Sequence, residues 1–389
     1  MNISLKILMV LNTLWTPNLG VPRVQIDLAK EFQAMGHKVE KFDLHDAFGQ
    51  VKPSVLADWT RPSFSVKAKA FVQANAHRFD IIEAIQGKLP FSKEELGFGG
   101  LLVARSVGLR ALLDEFIKLD NIKWPPKNKK TAIANWLRSL RHKREKPDHL
   151  RSFQTCDLIN LPNCDELAYV RDFMGEGDKC VVFPLGLSQQ RQQQFVREIE
   201  SAVVRLANKQ VVFIGAWGPR KGSRDWSEII KRVRAQVQEA RFLFLGTGFS
   251  AEVVLEDINL PSSYGIEIVE RYDSEELPRL LSGATVGAFP SYMEGFGLAV
   301  LEKLASGLPT VAYDIPGPRE MLRYLDEDLR VPAGNVLMFS SQLVKLLKLE
   351  EVGYSRLSRR CMEVANLFSW EKIARETLDV YAQKLASIR

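Results

Sequence analysis

Apolar and polar positions along this chain follow two rhythms, short continuous apolar runs and apolar positions spaced three or four apart. Lys6 to Leu11 is a run of the first kind, followed by the loop NTLWTPNLG. Val21, Val24, Leu28, Phe32 and Met35 then recur at the spacing of one helix face. Gly36 closes that helix and KVEKFDL returns as a strand, which predicts a βαβ opening. FDIIEAIQ, LLVARSV and CDLINLPN read as further short strands, the last running into a helical DELAYVRDFM. After KCVVFPLGL a polar, glutamine-rich passage, Gln189 to Gln194, breaks the alternation and places a domain boundary near 186 to 208.

A second series then repeats the rhythm. Strands are predicted at QVVFIGA, RFLFLGTG, IEIVE, TVGAFP and PTVAYD, separated by helical stretches such as SEIIKRVRAQV and EELPRLLSG. Strands alternating with helices imply open, mainly parallel sheets. With 389 residues the chain exceeds one ordinary core, so the expectation is an α/β protein of two doubly wound domains, 1–190 and 205–368, facing a cleft at the carboxyl ends of their strands.

Composition adds little to this picture. Hydrophobic residues at 46% and charged residues at 26% are those of an ordinary globular chain. The first apolar run is far shorter than the roughly 20 residues of a membrane span and lacks a signal-peptide cleavage site, so a cytoplasmic protein is expected. Four cysteines, at 156, 164, 180 and 361, form no metal-type spacing and are read as buried free thiols. The net charge of +6 points to an anionic partner.

Much of that charge is local. Between Asn121 and Arg151 ten lysines and arginines face two acids, and Ile133, Trp136, Leu137 and Leu140 would form one apolar helix face beside Arg138, Arg141 and Arg144. Such a segment suits the interface of an anionic membrane, and equally a solvated loop with a short packed helix. It lacks the interleaved aromatics of single-strand binders, so nucleic acid is not expected.

The stretch SYMEGFGLAVLEKLASGLPTVA carries the candidate chemistry. Glu294 and Glu302 flank a glycine-containing turn before a helix starting near Leu298, whose unpaired N–H groups and positive end suit a diphosphate. Gly295 and Gly297 would let the backbone approach that ligand closely. Two carboxylates beside a diphosphate are better acceptors for the hydroxyls of sugar and ribose than ligands of phosphate. The bland alternative is a pair of solvated glutamates near a helix N-terminus.

PSYMEGFGLAVLEKLASGLPTVAYDIPGPREML resembles the signature of family 4 retaining glycosyltransferases, with its proline-serine, its E-x7-E pair, its A-S-G-L-P turn and its G-P-R-E segment in order. The resemblance extends over nearly the whole chain, to GVPRVQIDLAKEFQAMGHKV, CDLINLPNCDELAYV, CVVFPLGL and FSWEKIARETLDVYAQKL. It implies the GT-B fold, with the nucleotide sugar held mainly by the second domain, the acceptor mainly by the first, and a closing helix at 369–389 crossing back to the N-terminal domain. It also implies no cofactor and no obligatory metal.

By the same resemblance, Glu302 would bind the ribose hydroxyls and Glu294 hydroxyls of the transferred sugar, with N–H groups of Phe296, Gly297 and Leu298 near sugar and diphosphate. Lys221, in GPRKG, would neutralise the departing diphosphate, and Gly20 would permit close approach from the first domain. Two positions depart from the family. Ala216 stands where an arginine usually precedes the lysine by five residues, leaving Arg220 or Arg224 as candidate substitutes. Val107 stands where many members carry a histidine, beside Arg105 and Ser106 as candidate cleft residues.

The expected function is transfer of a hexose from a nucleoside-diphosphate sugar to a glycan or lipid-linked acceptor, cytoplasmic and peripheral on the inner face of a membrane. The alternatives are an inactive GT-B protein that binds sugar nucleotide or a partner enzyme, and a GT-B epimerase or phosphorylase. The acidic run Asp326 to Asp328 reads as a solvated turn rather than a metal site, and GTGFS at 246–250 lacks the full dinucleotide fingerprint.

Overall fold

The computed structural model describes residues 4–17, 20–49, 63–123, 146–261 and 264–388. The chain divides into two compact units, Met1–Pro184 together with Trp370–Arg389, and Leu185–Ser369. The basic segment read at 121–151 lies largely outside the described residues, including the expected apolar face at Ile133 to Leu140. Its ends are helical, 121–123 closing the helix Arg110–Lys123 and 146–151 opening a helix that runs to 155.

Each unit is built on a six-stranded sheet in which every pairing is parallel. In the first unit β1 (Lys6–Val10), β2 (Lys38–Phe42), β3 (Ile81–Ile85), β4 (Leu101–Arg105), β5 (Leu158–Leu161) and β6 (Cys180–Val182) lie in the order β2-β1-β3-β4-β5-β6. Every residue of β3, β4 and β5 is buried, as expected of parallel strands covered on both faces, and this is why they read as apolar runs without alternation. The helix Gly20–Ala34 turns Val24, Leu28 and Phe32 inward, while Met35 falls just beyond its end.

The second unit has β7 (Gln210–Ile214), β8 (Arg241–Leu245), β9 (Ile266–Val269), β10 (Val286–Phe289), β11 (Thr310–Tyr313) and β12 (Arg330–Val331) in the order β12-β11-β10-β7-β8-β9. This is the strand order of dinucleotide-binding sheets, and its direction reverses between β7 and β10. Two-residue β12 left no apolar run to read. Phe213, Trp217, Trp226 and Phe244 form an edge-to-face cluster at β7 and β8, with Trp226 and Phe244 at 4.7 Å between ring centres.

The glutamine-rich passage, read as a break in the alternation, is helical. Gln189–Arg197 is a helix of the second unit, with Phe195 fully buried and Gln192 donating to the Ala365 carbonyl at 3.3 Å. Its glutamines are polar by composition but fall on both faces of the helix, which composition alone does not reveal. The first unit accordingly ends at Pro184, ahead of the expected residue 190.

The C-terminal helix Trp370–Ile388 belongs to the first unit and is held there by a buried polar knot. Arg105, at the end of β4, donates to both oxygens of Glu83, at 2.5 and 3.0 Å, and Tyr381 donates to Glu83 Oε2 at 2.5 Å. Asn160 donates to the Tyr381 hydroxyl at 3.3 Å. Arg105 was a candidate cleft residue; at 1% exposure and bonded to Glu83, it instead ties sheet to helix. Replacing Glu83 by glutamine strands a buried guanidinium, so denaturant unfolding is expected to show a loss of about 3–5 kcal/mol. Tyr381→Phe, which removes the hydroxyl that donates to Glu83 and accepts from Asn160 and Arg105 but leaves the Glu83–Arg105 pair intact, is expected to cost less, about 2–3 kcal/mol.

Of the cysteines, Cys156 and Cys361 are buried and Cys180 is half-buried, but Cys164 is exposed, because it opens the helix Cys164–Tyr169 on its outer side. Among the described residues no helix is long and apolar enough to cross a membrane.

Candidate functional site

The strands that flank the reversal in the second sheet, β7 and β10, deliver the two loops that carry the predicted chemistry. From β7 the chain passes Gly215 and the exposed Ala216. Trp217 then anchors the loop, its backbone N–H on the Thr247 carbonyl and its indole N–H on Asp257, each at 2.8 Å. A single turn, Pro219–Lys221, follows. From β10 the chain passes Pro290 to Gly297 and enters the helix Leu298–Ala305.

These loops are stitched together. Tyr292 donates its N–H to the Arg220 carbonyl at 2.9 Å, and Arg220 Nη1 donates to the Met293 carbonyl at 3.0 Å. Asp225 Oδ2 accepts from the hydroxyls of both Tyr292 and Tyr313, at 2.8 and 2.6 Å. Burial and the Asp225 charge hold both phenols well above the usual tyrosine range.

Glu294 is the centre of the site. Lys221 Nζ reaches its Oε1 at 2.6 Å and Arg220 Nη1 reaches the same oxygen at 3.0 Å. Glu294 is 8% exposed and Lys221 is largely buried beside it, so their charge-assisted pairing is mostly out of water, while the Arg220 side chain reaches it from a more exposed position. Burial lowers the proton affinity of Lys221, Glu294 opposes that fall, and Arg220 adds to it. Of the two arginines weighed as substitutes at this loop, Arg220 is the one that meets Glu294; Ala216 brings no charge.

Glu302 lies one turn into the helix Leu298–Ala305 and is 5% exposed. Phe296 is buried and packs edge-on to Phe368, its ring centre 5.7 Å away. Leu298 begins the helix and is half-buried.

The expected reason for Gly297 needs changing. Its φ of +87° caps the helix in the left-handed region, and a Cβ there would meet Pro318 Cγ at 3.2 Å. The residue is required by the turn and by the G-P-R-E segment packed against it, whatever ligand approaches. Gly295 is buried in the same loop.

Sites assigned to the first unit fare differently. Gly20 is exposed, and it is the first residue of its helix rather than part of the loop. Ser106 is buried and donates to Glu166 Oε2 at 2.6 Å, while Leu109 N–H donates to Oε1 at 3.0 Å. Glu166 thus braces the loop after β4, and its full burial pushes its carboxyl up to about 7. Val107, in that loop, is half-buried. In the acidic run, Asp326 pairs with Arg360 at 2.8 Å and Asp328 with Lys345 at 2.6 Å.

One charged residue of the site was passed over. Lys303 is fully buried and donates to the Ala288 carbonyl at 2.9 Å. Its signal was present in the sequence: a lysine at the i+3 position from Val300, next to Leu304, on the inward face of the helix.

The strand order of this sheet puts two cations and a glutamate on the loops at its reversal, the position at which such sheets bind ligands. Residues 208–349 match the family model described as Glycosyl transferases group 1. The chain is 36% identical over 124 residues to a D-inositol 3-phosphate glycosyltransferase of Nocardioides sp., covering 32% of this chain and 27% of that protein. Similarity to the MMP alpha-(1->4)-mannosyltransferase of Mycolicibacterium hassiacum is lower but longer, 24% over 380 residues, covering 90% of this chain and 86% of the relative. Among solved structures, sucrose-phosphate synthase from Thermosynechococcus elongatus shares the fold with a TM-score of 0.75 at 19% identity, over 98% of this chain and 100% of the other. Residues 208–349 thus resemble the group 1 glycosyltransferases, and the chain shares the two-sheet fold of a solved sucrose-phosphate synthase, in agreement with the GT-B fold expected from the sequence.

Proposed function

We propose that this chain is a retaining hexosyltransferase that takes its sugar from a nucleoside-diphosphate donor and passes it to a glycan or lipid-linked acceptor. The observation that carries the reading is the convergence of Lys221 and Arg220 on Glu294 where the strand order reverses, the place where sheets of this kind bind ligands. Two cations suit a diphosphate, and Glu294, whose Oε1 meets both, would accept a sugar hydroxyl with its carboxylate. Glu302 would receive the ribose hydroxyls, and N–H groups of Phe296, Gly297 and Leu298 would face the sugar and diphosphate.

The acceptor hydroxyl attacks the anomeric carbon on the face from which the diphosphate leaves. The bond from that carbon to the phosphate oxygen breaks, and the hydroxyl proton passes to the leaving phosphate. No enzyme base is needed, so the chain contributes positioning and electrostatic stabilisation, with Lys221 opposite the charge that develops. Neither a cofactor nor an obligatory metal enters this scheme. The basic stretch 121–151 would bring the enzyme to the anionic inner face of a membrane, near a lipid-linked acceptor.

Calorimetric titration with UDP, GDP and ADP tests the donor site. One of the three is expected to bind saturably without added metal, and Glu302→Ala to weaken it at least tenfold through loss of charge-assisted bonds to ribose. Failure of all three to bind, or an unchanged affinity in Glu302→Ala, would overturn the assignment.

A further inference from the structure

Lys303 is an unusual lysine. Its ammonium is sealed between the sheet and the helix Leu298–Ala305, with one hydrogen bond, to the Ala288 carbonyl. The strand beneath is shaped around it: a Cβ on Gly287, inside β10, would meet Lys303 Cδ at 2.6 Å and also collide with Thr310 Oγ1. A glycine within a strand weakens it, and a lysine is seldom fully buried without a carboxylate partner. Both departures occur together, directly behind the candidate donor site.

Phe289 connects the two regions. Lys221 Nζ lies 5.0 Å and Lys303 Nζ 5.1 Å from the centre of its ring, so the two ammonium groups are no further apart than the sum, about 10 Å. At that range, in a medium poorer than water, charges remain coupled. The charged groups acting on Lys303 are Lys221, from the loop after β7, and Glu302, on its own helix. From β10 it meets Phe289 and the Ala288 carbonyl, and Thr310 lies on β11; none of these titrates near neutral pH. Burial, reinforced by Lys221 and opposed by Glu302, pushes its proton affinity down to about 7.

We propose that Lys303 is a positioning residue of the donor site, a buried amine that takes up a proton when a nucleoside diphosphate binds and so adds a second-layer positive charge behind Lys221. This rests on the donor-site reading given above. With the site empty, a second ammonium opposes Lys221 and the amine is largely neutral above pH 7. A bound diphosphate reverses the sign of the local field, and the proton enters from solvent.

The test is calorimetry of the nucleotide that binds among UDP, GDP and ADP, at pH 8, in two buffers of different ionisation enthalpy. Terminal phosphates have a second pKa near about 6, so at pH 8 the nucleotide itself exchanges few protons. A one-unit rise in the affinity of Lys303 for its proton predicts uptake of about 0.4 proton per nucleotide. Lys303→Met is expected to abolish that uptake and to weaken binding increasingly as pH falls from 8 to 6. Buffer-independent enthalpy in the unsubstituted protein, or equal uptake in Lys303→Met, overturns the proposal while leaving the donor site standing. If none of the three nucleotides binds, the donor-site reading fails and this proposal fails with it.

Stability gives a readout that needs no ligand. A lysine depressed to about 7 in the folded state and near about 10.4 when unfolded favours folding increasingly as pH rises between those values, by up to tenfold per unit. Lys303→Met removes that slope; identical slopes in the two proteins would overturn the claim that the amine is neutral when the site is empty.

Discussion

Lys221→Met is expected to lower kcat of the proposed transfer about 100- to 1,000-fold, the cost typical of deleting one preorganised group that faces developing charge. The reason lies in its placement. The lysine is only 14% exposed, stands 2.6 Å from Glu294, and occupies a turn fixed to the next loop through Arg220 and Tyr292. On the proposed reading its charge would be in position before the donor arrives, with no reorganisation needed as a diphosphate departs. Single-turnover transfer measured with saturating donor isolates this effect from binding. A loss confined to KM would mean that the lysine binds the ground state and the transition state equally.

Glu294→Gln separates two roles in opposite directions. In the empty site its carboxylate partly neutralises Lys221 and Arg220, so it competes with the diphosphate for the same cations. Removing that charge is expected to tighten binding of the free nucleoside diphosphate about three- to tenfold, since a unit charge a few ångströms away in a partly buried site is worth about 1 kcal/mol or more. The same change replaces one carboxylate oxygen by an amide NH2 and leaves a single, uncharged acceptor for the proposed sugar hydroxyls, so it is expected to lower kcat about 100-fold. Titration with the nucleotide and steady-state transfer read the two effects. Weaker nucleotide binding together with weaker transfer would show that Glu294 serves to hold the loop rather than to contact the sugar.

The candidate site was unevenly legible in the chain. Glu294 and Glu302 were singled out because a glycine turn entering a helix marks them locally, whereas Lys221 was named only through the resemblance to family 4 glycosyltransferases. Lys303 was overlooked, although its place on an apolar helix face was visible, because a lysine in a helix is ordinarily solvated. Arg105 and Ser106 were misread for a related cause. They stand at the carboxyl end of β4, where ligands often bind, but Glu83, Tyr381 and Glu166 come from elsewhere in the first unit to satisfy them. The passage Gln189 to Gln194 was read as part of a domain boundary, not as a helix, because its polar composition concealed the inward Phe195.

By itself the sequence determined where the strands run and where the helices begin. Buried parallel strands must be continuously apolar, and a helix must present an apolar face and a turn at its mouth; both are local demands that leave local traces. Strand order leaves none. That β7 lies beside β10, so that Lys221 meets Glu294, depends on crossovers and packing distributed over the whole second unit. The same holds for the knot that joins Glu83 and Arg105 to Tyr381, and for the burial of Lys303 against Gly287. Ion pairs and buried amines are properties of neighbours in space, and only the tertiary structure chose those neighbours.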